Sequence, residues 1–443
     1  MGFSETIFAL ASGRGRAGVA VVRLSGPKAR DALARISRKD GPEPRRATLR
    51  ALYRTSDNSV IDQSLVITFP GPDSFTGEDV VEFHLHGGPA ILTALFAELA
   101  AFDGFRPAAP GEFTRRAFEH GKMDLTAAEG LGDLVNAETE AQARQALRQM
   151  QGELGRLYEG WRAALIAALA HLEADIDFPD EDLPDGVAAA IAPKIAALRA
   201  EITAHLADGH RGEKIREGLD IVILGQPNVG KSSLLNALAR RDAAIVSDQA
   251  GTTRDIIEVP MDLAGYPVTF ADTAGLRASG DAIEREGVRR AEARAARADI
   301  RLFMTTAENP DIPADFHQLY RAGDYHLVNK TDLAAFTATK GGDARIFPLS
   351  VTSGAGLETF LAALEADVTE RLDLSGAPAL TRLRHRQALE ECVEALHRFE
   401  RAAAPELAAE DVRLAVRALG RITGRVDVED ILDVIFGDFC IGK

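Results

Sequence analysis

Residues 225–232 form the sequence pattern with the clearest chemistry, which is phosphate binding. The pattern G-x-x-x-x-G-K-S follows the apolar run IVIL and precedes a stretch with helical periodicity. Its glycines let backbone N–H groups close around phosphate oxygens, Lys231 offers a positive charge, and Ser232 offers a hydroxyl to magnesium. A chance glycine turn is the alternative, which the flanking strand and helix patterns disfavour. We therefore predict a nucleotide-phosphate site in this segment.

Two polar segments further along the chain could complete the phosphate and metal site. The sequence DTAG at 272–275 follows a strand pattern, so Asp272 can hold magnesium through water while the last glycine amide senses the γ-phosphate. The segment SDQAGTTRD at 247–255 lies where a switch loop belongs, and Thr253 is the predicted magnesium and γ-phosphate ligand. A solvated polar loop is the alternative for that segment. Leu276 stands where a glutamine could orient water, so another residue must do so.

Guanine recognition is predicted from the sequence NKTD at 329–332. Asp332 can accept hydrogen bonds from both N–H donors on the guanine edge, and Asn329 can bond the base and tie this loop to the phosphate loop. The stem of Lys330 can lie over the ring, and the segment SVTSGAG from Ser350 supplies a backbone contact. A helix N-cap is the alternative role for Asp332. The residues predicted to contact GTP are Asn228, Val229, Gly230, Lys231, Ser232, Ser233, Ser247, Asp248, Gln249, Ala250, Gly251, Thr252, Thr253, Asp272, Thr273, Ala274, Gly275, Asn329, Lys330, Asp332, Ser350, Val351 and Thr352.

Patterning along the chain predicts the elements that position these residues. Residues 1–118 hold short β-type runs between Gly/Pro clusters, which favours an α+β domain. Residues 119–216 and 373–443 show helical periodicity, and 217–372 alternate strand and helix patterns as in a parallel α/β unit. We therefore expect a multidomain α/β and α+β protein, in which a Ras-like P-loop GTPase domain is inserted into a helical domain.

The overall composition excludes several classes of protein. The chain has 443 residues and a formal net charge of −16, which argues against a general nucleic-acid-coating protein, although residues 1–118 hold 15 Lys+Arg against 13 Asp+Glu. No apolar run reaches the roughly 18 residues of a membrane span, and the first residues lack a signal-peptide pattern. The only two cysteines, Cys392 and Cys440, fit a reducing cytosol, so we expect a cytoplasmic protein without a membrane partner. Cys392 lies on an apolar helix face and is predicted to be a core residue.

Motifs outside the central domain carry a family resemblance. They are GRGRAGVAVVRLSG at 13–26, GPDSFTGEDVVEFHLHGGPA at 71–90, PGEFTRRAFEHGKMDLTAAE at 110–129 and the terminal FCIGK at 439–443. Together with the central motifs, they resemble the bacterial and organellar tRNA-modifying GTPase family MnmE, also called TrmE, over essentially the whole chain. Other potassium-dependent GTPases share the central motifs but lack these four segments.

The resemblance implies a function and a set of partners. The family forms homodimers and acts with an FAD-containing protein, MnmG (GidA), in a heterotetramer. It adds an aminomethyl or carboxymethylaminomethyl group to the wobble uridine of certain tRNAs, using a one-carbon unit from 5,10-methylene- or 5-formyl-tetrahydrofolate. GTP, Mg²⁺, K⁺ and a tetrahydrofolate are therefore the implied cofactors. Which tRNAs are modified, and whether ammonium or glycine supplies the nitrogen, stays open.

Potassium binding and water activation are also assigned through the resemblance. The loop 247–252 matches the family's potassium-binding loop, and Ser247 replaces a commoner threonine there, which leaves the affinity open. Glu284 matches the glutamate that orients the attacking water; from the residues alone it is an exposed acid at a helix start. In this family, potassium and the pairing of two G domains across the homodimer stimulate hydrolysis. The implied potassium ligands are Asn228, Ser247, Gln249 and Thr252.

The resemblance implies that residues 1–118 form a folate-binding and dimerisation domain. A carboxylate can bind the donor and acceptor edges of a pterin, and Arg or Lys can bind the carboxylates of the glutamyl tail. Cys440 is either a functional thiol or a packing residue of the folate site, and we count it with Lys231 and Glu284 as a candidate catalytic residue. The residues that match the family's folate site are Arg23, Glu82, Lys122 and Lys443.

Two rival functions remain open at the level of the sequence. One is a GTPase that binds ribosomal RNA during ribosome assembly; such proteins usually carry a basic RNA-binding module, whereas the flanking helices here are acidic. The other is a folate-dependent one-carbon transferase in which the GTPase is only a timer. The nucleoside composition of tRNA from cells that lack the protein would decide between these functions and wobble-uridine modification.

Overall fold

A computed structural model describes most of the chain and divides it into two compact units. The first unit comprises Met1–Gly132, Gln149–Ile195 and Glu394–Lys443, and the second comprises Asp133–Arg148 and Ala196–Val393. A mixed sheet, a mainly parallel sheet and many helices are present, so the predicted multidomain α+β and α/β fold is confirmed. The described residues are 3–177, 187–241, 258–272, 293–336, 345–373, 376, 378–402, 404–426, 432, 435–437, 439 and 442.

The first unit is built on a six-stranded sheet formed by Thr6–Leu10 (β1), Ala17–Ser25 (β2), Thr48–Tyr53 (β3), Val60–Phe69 (β4), Val80–Gly87 (β5) and Phe105–Pro107 (β6). The strand order is β3-β4-β5-β2-β1-β6, and the pairs are antiparallel except for β1 with β6. Along β5, Val81, Phe83 and Leu85 are buried in the core, and the residues between them face the other side of the sheet.

Helices supply the remaining apolar layers of both units. Their bounds in the described residues are Ala29–Ser37 (α1), Pro89–Ala100 (α2), Glu112–Glu119 (α3), Leu125–Asn136 (α4), Glu140–Met150 (α5), Glu153–Asp177 (α6), Val187–Leu206 (α7), Arg211–Glu217 (α8), Lys231–Ala239 (α9), Ala314–His317 (α10), Leu357–Leu372 (α11), Leu383–Phe399 (α12) and Pro405–Thr423 (α13). In α1, buried residues recur with helical spacing, so one face packs on the sheet. In the part of the chain that is described, no helix is both long and apolar enough to cross a membrane.

The second unit contains a six-stranded sheet formed by Leu219–Leu224 (β7), Glu258–Leu263 (β8), Tyr266–Asp272 (β9), Ile300–Thr306 (β10), Tyr325–Asn329 (β11) and Arg345–Pro348 (β12). The strand order is β12-β11-β10-β7-β9-β8; β8 and β9 are antiparallel, and the other pairs are parallel. β11 is buried throughout and β7 and β10 nearly so, as expected for strands covered on both faces. In such a sheet, loops at the carboxyl ends of the strands meet at one edge, where ligands bind.

The core of the second unit lies on both faces of its sheet. On one face, Ile221 and Phe270 pack with Leu234 of α9 and Phe360 of α11. Cys392 of α12 is fully buried, so its predicted place in the core is confirmed, and burial raises the pKa of its thiol to about 12.

Candidate guanine-nucleotide site and a second pocket

The phosphate loop connects the end of β7 to the start of α9. Gly225 has a φ of 153° and Gly230 has a φ of 111°, conformations that L side chains rarely adopt. Space is also restricted: a Cβ on Gly225 would lie 2.3 Å from the Met304 carbonyl oxygen, and a Cβ on Gly230 would lie 2.3 Å from Asn329 Nδ2. The path of the loop therefore requires both glycines. It ends at the N-terminus of α9, whose first N–H groups have no carbonyl partner within the helix.

Lys231 lies inside the phosphate loop. Only 5% of its surface is exposed, and Nζ donates hydrogen bonds to the carbonyl oxygens of Gly225 at 2.7 Å and Gln226 at 2.9 Å. The ammonium group is thus held beside the N-terminus of α9, where the helix dipole adds positive potential. Ser232 and Ser233 follow in the first turn and are exposed. This local charge suits an anionic ligand such as a phosphate group.

Asn329, at the end of β11, links the phosphate loop to the base-binding segments. Its side chain is buried, Nδ2 donates to the Val229 carbonyl oxygen at 2.8 Å, and Oδ1 accepts the Val351 N–H at 3.0 Å. The strand register places Asn329 beside Thr306 at the end of β10. One buried amide therefore satisfies backbone groups of two other loops and fixes the spacing between them.

The predicted base-binding residues lie in two turns next to Asn329. Lys330 has a φ of 61°, and the side chain of Asp332 is exposed in the turn that follows β11. Ser350 is buried, and the residues at 351 and 352 follow it in the second turn. The Thr331 N–H donates to the Leu349 carbonyl oxygen at 3.3 Å, which holds the two turns together. The Asp332 carboxylate is therefore available to a ligand next to rigid backbone.

Only part of the predicted metal and switch machinery falls on described residues. Asp272 ends β9, and the register pairs it with Ile223, two residues before Gly225, so its backbone lies beside the phosphate loop. Asn228 is exposed in that loop with a φ of 63°. The structure thus brings together the phosphate loop, the end of β9 and the base-binding turns. Outside the described residues lie the predicted Ser247, Asp248, Gln249, Ala250, Gly251, Thr252, Thr253, Thr273, Ala274, Gly275 and Glu284.

A second group of predicted residues lies in the first unit. Arg23 on β2 and Glu82 on β5 are register partners, and Arg23 Nε and Nη2 each lie 2.9 Å from Glu82 Oε1. The Arg23 guanidinium also lies 5.5 Å from the ring centre of Phe75 and 5.8 Å from that of Phe113. Charged groups and aromatic faces together suit a flat polar heterocycle. A pocket of about 370 Å³ at this place is lined by Arg23, Arg45, Phe69, Asp73, Ser74, Phe75, Val80 and Glu82.

Lys122, which is also assigned to the folate site, is not among the residues that line this pocket. Lys122 is exposed after α3, and its N–H donates to the Ala117 carbonyl oxygen at 2.8 Å. Lys443 and Cys440 lie outside the described residues. Of the four predicted folate residues, the structure therefore brings together Arg23 and Glu82.

Gly442 lies against the sheet that carries Arg23. Gly442 has a φ of 105°, and a Cβ there would lie 2.0 Å from the Leu10 carbonyl oxygen. Leu10 pairs with Val22 across the β1–β2 ladder, one residue before Arg23. Glycine at 442 therefore permits the tail to lie directly against the end of β1.

Several lining residues of the pocket were missed by sequence reasoning. The Arg45 guanidinium lies 5.5 Å from the ring centre of Phe69, and it donates a hydrogen bond to the Asp73 carbonyl oxygen. These residues come from the segment before β3, the end of β4 and the loop after it, so no spacing pattern links them to Arg23. The one available signal was the segment GPDSFTG at 71–77, which contributes three lining residues.

The arrangement of the second unit defines a class of protein. Its sheet is mainly parallel, and its phosphate loop is hydrogen-bonded to Asn329 of the NKTD turn. These features are typical of a P-loop GTPase.

Comparison with known proteins identifies the family. The family model described as "GTP-binding protein TrmE N-terminus" matches residues 6–122, and the "MnmE helical domain" model matches residues 125–440. The tRNA modification GTPase MnmE of Parvibaculum lavamentivorans is 54% identical over 443 residues, covering 99% of this chain and 100% of that protein. That of Rhodospirillum rubrum is 55% identical over 455 residues, covering 99% of each. The mitochondrial 5-taurinomethyluridine-[tRNA] synthase subunit GTPB3 of Danio rerio is 46% identical over 470 residues, covering 99% of this chain and 93% of that protein. The chain belongs to the MnmE (TrmE) family, as its motifs predict.

Proposed function

We propose that this chain is a GTPase that acts in tRNA modification. The observation that carries the proposal is the match over 99% of the chain to proteins named tRNA modification GTPase MnmE. The buried Asn329 bridge between the phosphate loop and the base-binding turns supports guanine-nucleotide binding by this particular chain.

The finer proposal concerns the chemistry on the tRNA. With an FAD-containing MnmG-like partner, the homodimer adds an aminomethyl or carboxymethylaminomethyl group to the wobble uridine, using a tetrahydrofolate one-carbon unit. The name of the Danio rerio relative calls it a subunit of a synthase, which supports the participation of a second protein. The pocket around Arg23 and Glu82 has the charged and aromatic groups that a folate requires.

The nucleoside composition of cellular tRNA tests this function. Cells that lack the protein should lose modified wobble uridine, and the wild-type gene should restore it. Lys231→Ala should not restore it, because the phosphate loop loses its buried cation; Lys39→Ala, at an exposed lysine in the other unit, is the matched control. Unchanged tRNA nucleosides together with a defect in ribosomal RNA maturation would instead support the rival ribosome-assembly function.

We also propose that the pocket around Arg23 binds the folate. Arg23→Ala and Lys122→Ala should each weaken binding of 5-formyl-tetrahydrofolate about ten- to a hundredfold, because loss of one charge-assisted hydrogen bond costs roughly 1.5–3 kcal/mol. GTP affinity should be unchanged. Arg46→Ala is the control, because Arg46 is exposed and pairs only with the exposed Glu43 among described residues. Full folate affinity in both test variants, measured by calorimetry, would refute the assignment.

The proposed metal sites complete the hydrolytic machinery. Magnesium is held by Ser232, Thr253 and, through water, Asp272. Potassium is held by Asn228 and the loop 247–252, where neutral oxygens suit a monovalent cation. A cation at that place serves the electrostatic role of an arginine finger, which is worth about 10³–10⁵ in rate. Glu284 orients the attacking water.

Salt substitution separates the two parts of this hydrolytic proposal. Asn228→Lys, or sodium in place of potassium, should abolish stimulated hydrolysis and G-domain pairing. Glu284→Ala should slow hydrolysis strongly while nucleotide binding and potassium-dependent pairing persist. The measurements are GTPase rate and sedimentation with GDP and aluminium fluoride. Equal GTPase rates in the two salts would refute the potassium site. A fully active Glu284→Ala variant would refute the proposed role of Glu284.

A further inference from the structure

The loop between β1 and β2 carries two arginines that the proposed function leaves without a role. Residues 13–19 are all exposed, and they include Arg14 and Arg16. From Thr6 to Arg30 the chain has five basic residues and no Asp or Glu, although its formal net charge is −16. The loop is therefore a local concentration of positive charge in an acidic protein.

Among the described residues, the two loop arginines have no counterion, whereas several other arginines of the same unit have one. Arg106, Arg115 and Arg116 each form an ion pair with a glutamate. In the part of the chain that the structure describes, neither Arg14 nor Arg16 forms an ion pair or a hydrogen bond. Among the described residues, none neutralises their charge, which is therefore available to an anionic partner.

The backbone of the loop is open as well. Gly13, Gly15 and Gly18 have no neighbouring atom within 4 Å of the position that a Cβ would take. Gly15 has a φ of 119°, a conformation that favours glycine. An extended ligand can therefore approach the main chain closely, and unpaired N–H groups of such a loop can bind phosphate oxygens in addition to the arginines.

The base of the loop is fixed next to the C-terminal tail. The Ala11 N–H donates to the Val21 carbonyl oxygen at 2.7 Å, and the Val21 N–H donates to Ser12 Oγ at 3.1 Å. Gly442 lies against Leu10 and Ala11, directly before the loop begins. The exposed arginines thus extend from a hydrogen-bonded base that adjoins Gly442 and the strand carrying the proposed folate residue Arg23.

We propose that residues 13–18, which comprise the end of the β1–β2 loop and the first two residues of β2, bind backbone phosphate groups of the tRNA substrate through Arg14 and Arg16. The proposal rests on the proposed function in tRNA modification and adds a binding surface to it. RNA is the anion that fits best, because a polyanion can engage an open loop and two unpaired cations at once. A folate polyglutamyl tail is a different anion, and the loop arginines are not among the residues that line the folate pocket.

The test compares Arg14→Ala/Arg16→Ala with Arg46→Ala in the full-length protein. Fluorescence anisotropy with a labelled tRNA transcript, over a series of KCl concentrations, gives the affinity and its salt dependence. The double variant should bind tRNA at least about tenfold more weakly, and the slope of log K against log salt should fall by about 1–2, since each phosphate contact contributes roughly 0.7–0.9. Arg46→Ala should match the wild type. Arg14→Lys/Arg16→Lys should recover most of the affinity, because a phosphate contact requires charge.

Each other outcome has a defined meaning. An unchanged affinity and salt slope in the double alanine variant would overturn the inference. Reduced affinity for pentaglutamyl 5-formyl-tetrahydrofolate with unchanged tRNA affinity would also overturn it, and would assign the loop to the folate tail. If the wild type restores no wobble modification in cells but the double variant still loses tRNA affinity, the proposed function fails and the loop assignment stands.

Discussion

Gly230→Ala is the perturbation of the nucleotide site whose effect is best defined by geometry. A Cβ at this position would lie 2.3 Å from Asn329 Nδ2, and the backbone has a φ of 111°. A left-handed conformation costs an L residue about 1–2 kcal/mol. The Asn329 amide must also move, which leaves the Val229 carbonyl oxygen unpaired at about 1–3 kcal/mol. The two costs add up to about 2–5 kcal/mol. If GTP binds to the loop conformation seen here, the variant must bear this cost on binding, and its affinity for GTP falls roughly thirty- to several-thousandfold.

The assay is a titration with a fluorescent GTP analogue, together with chemical unfolding. Gly323→Ala is the matched control, because Gly323 has a φ of 94° but no atom within 4 Å of a Cβ. It should lower the free energy of unfolding by about 1–2 kcal/mol through strain alone, with GTP affinity retained. If Gly230→Ala bound GTP as tightly as the wild type, the close approach of Asn329 to the phosphate loop could not be a requirement for binding.

Two further predictions concern base selection and thiol reactivity. Asp332→Asn should shift the preference from GTP toward xanthosine triphosphate, because the amide donates where the carboxylate only accepts; an unchanged preference in competition binding would reject this role. In a Cys440→Ser background, Cys392 should resist thiol reagents until the protein unfolds, since it is fully buried and the pKa of its thiol is about 12. The labelling reaction is monitored by absorbance, and rapid labelling of the native protein would contradict that prediction.

The fold class could be predicted because its determinants are local. The apolar run before Gly225 and the helical pattern after it are contiguous, so a strand, a glycine loop and a helix follow from spacing alone. The NKTD segment likewise follows a continuous apolar run that became β11. Sequence spacing cannot predict the hydrogen bond between Asn329 and Val351, because that contact depends on how separate strands end at one edge of the sheet.

The second pocket shows the limit of sequence reasoning more clearly. From the residues alone Arg23 is an ordinary charge on a strand, and only the family resemblance selects it. Its environment is assembled from segments that are far apart in the chain, with Glu82 across a strand pair and Phe75 and Phe113 from two other places. Arg45 could not be predicted from the sequence, because its contact with Phe69 depends on the turn before β3. Pockets of this kind follow from strand order, which local patterns do not determine.

Two glycines of the first unit show where described residues near the C-terminal end of the sequence lie. A Cβ on Gly442 would lie 2.0 Å from the Leu10 carbonyl oxygen, and a Cβ on Gly111, before α3, would lie 2.4 Å from the Phe436 carbonyl oxygen. Gly442 thus lies close to the end of β1 and Phe436 close to the start of α3, and in both places a side chain on the glycine would prevent the close approach. Phe436 also packs with Leu125, so apolar burial favours the same placement. Gly442 is thereby placed beside the β1–β2 strand pair, whose second strand carries Arg23, the residue on which the proposed folate site depends.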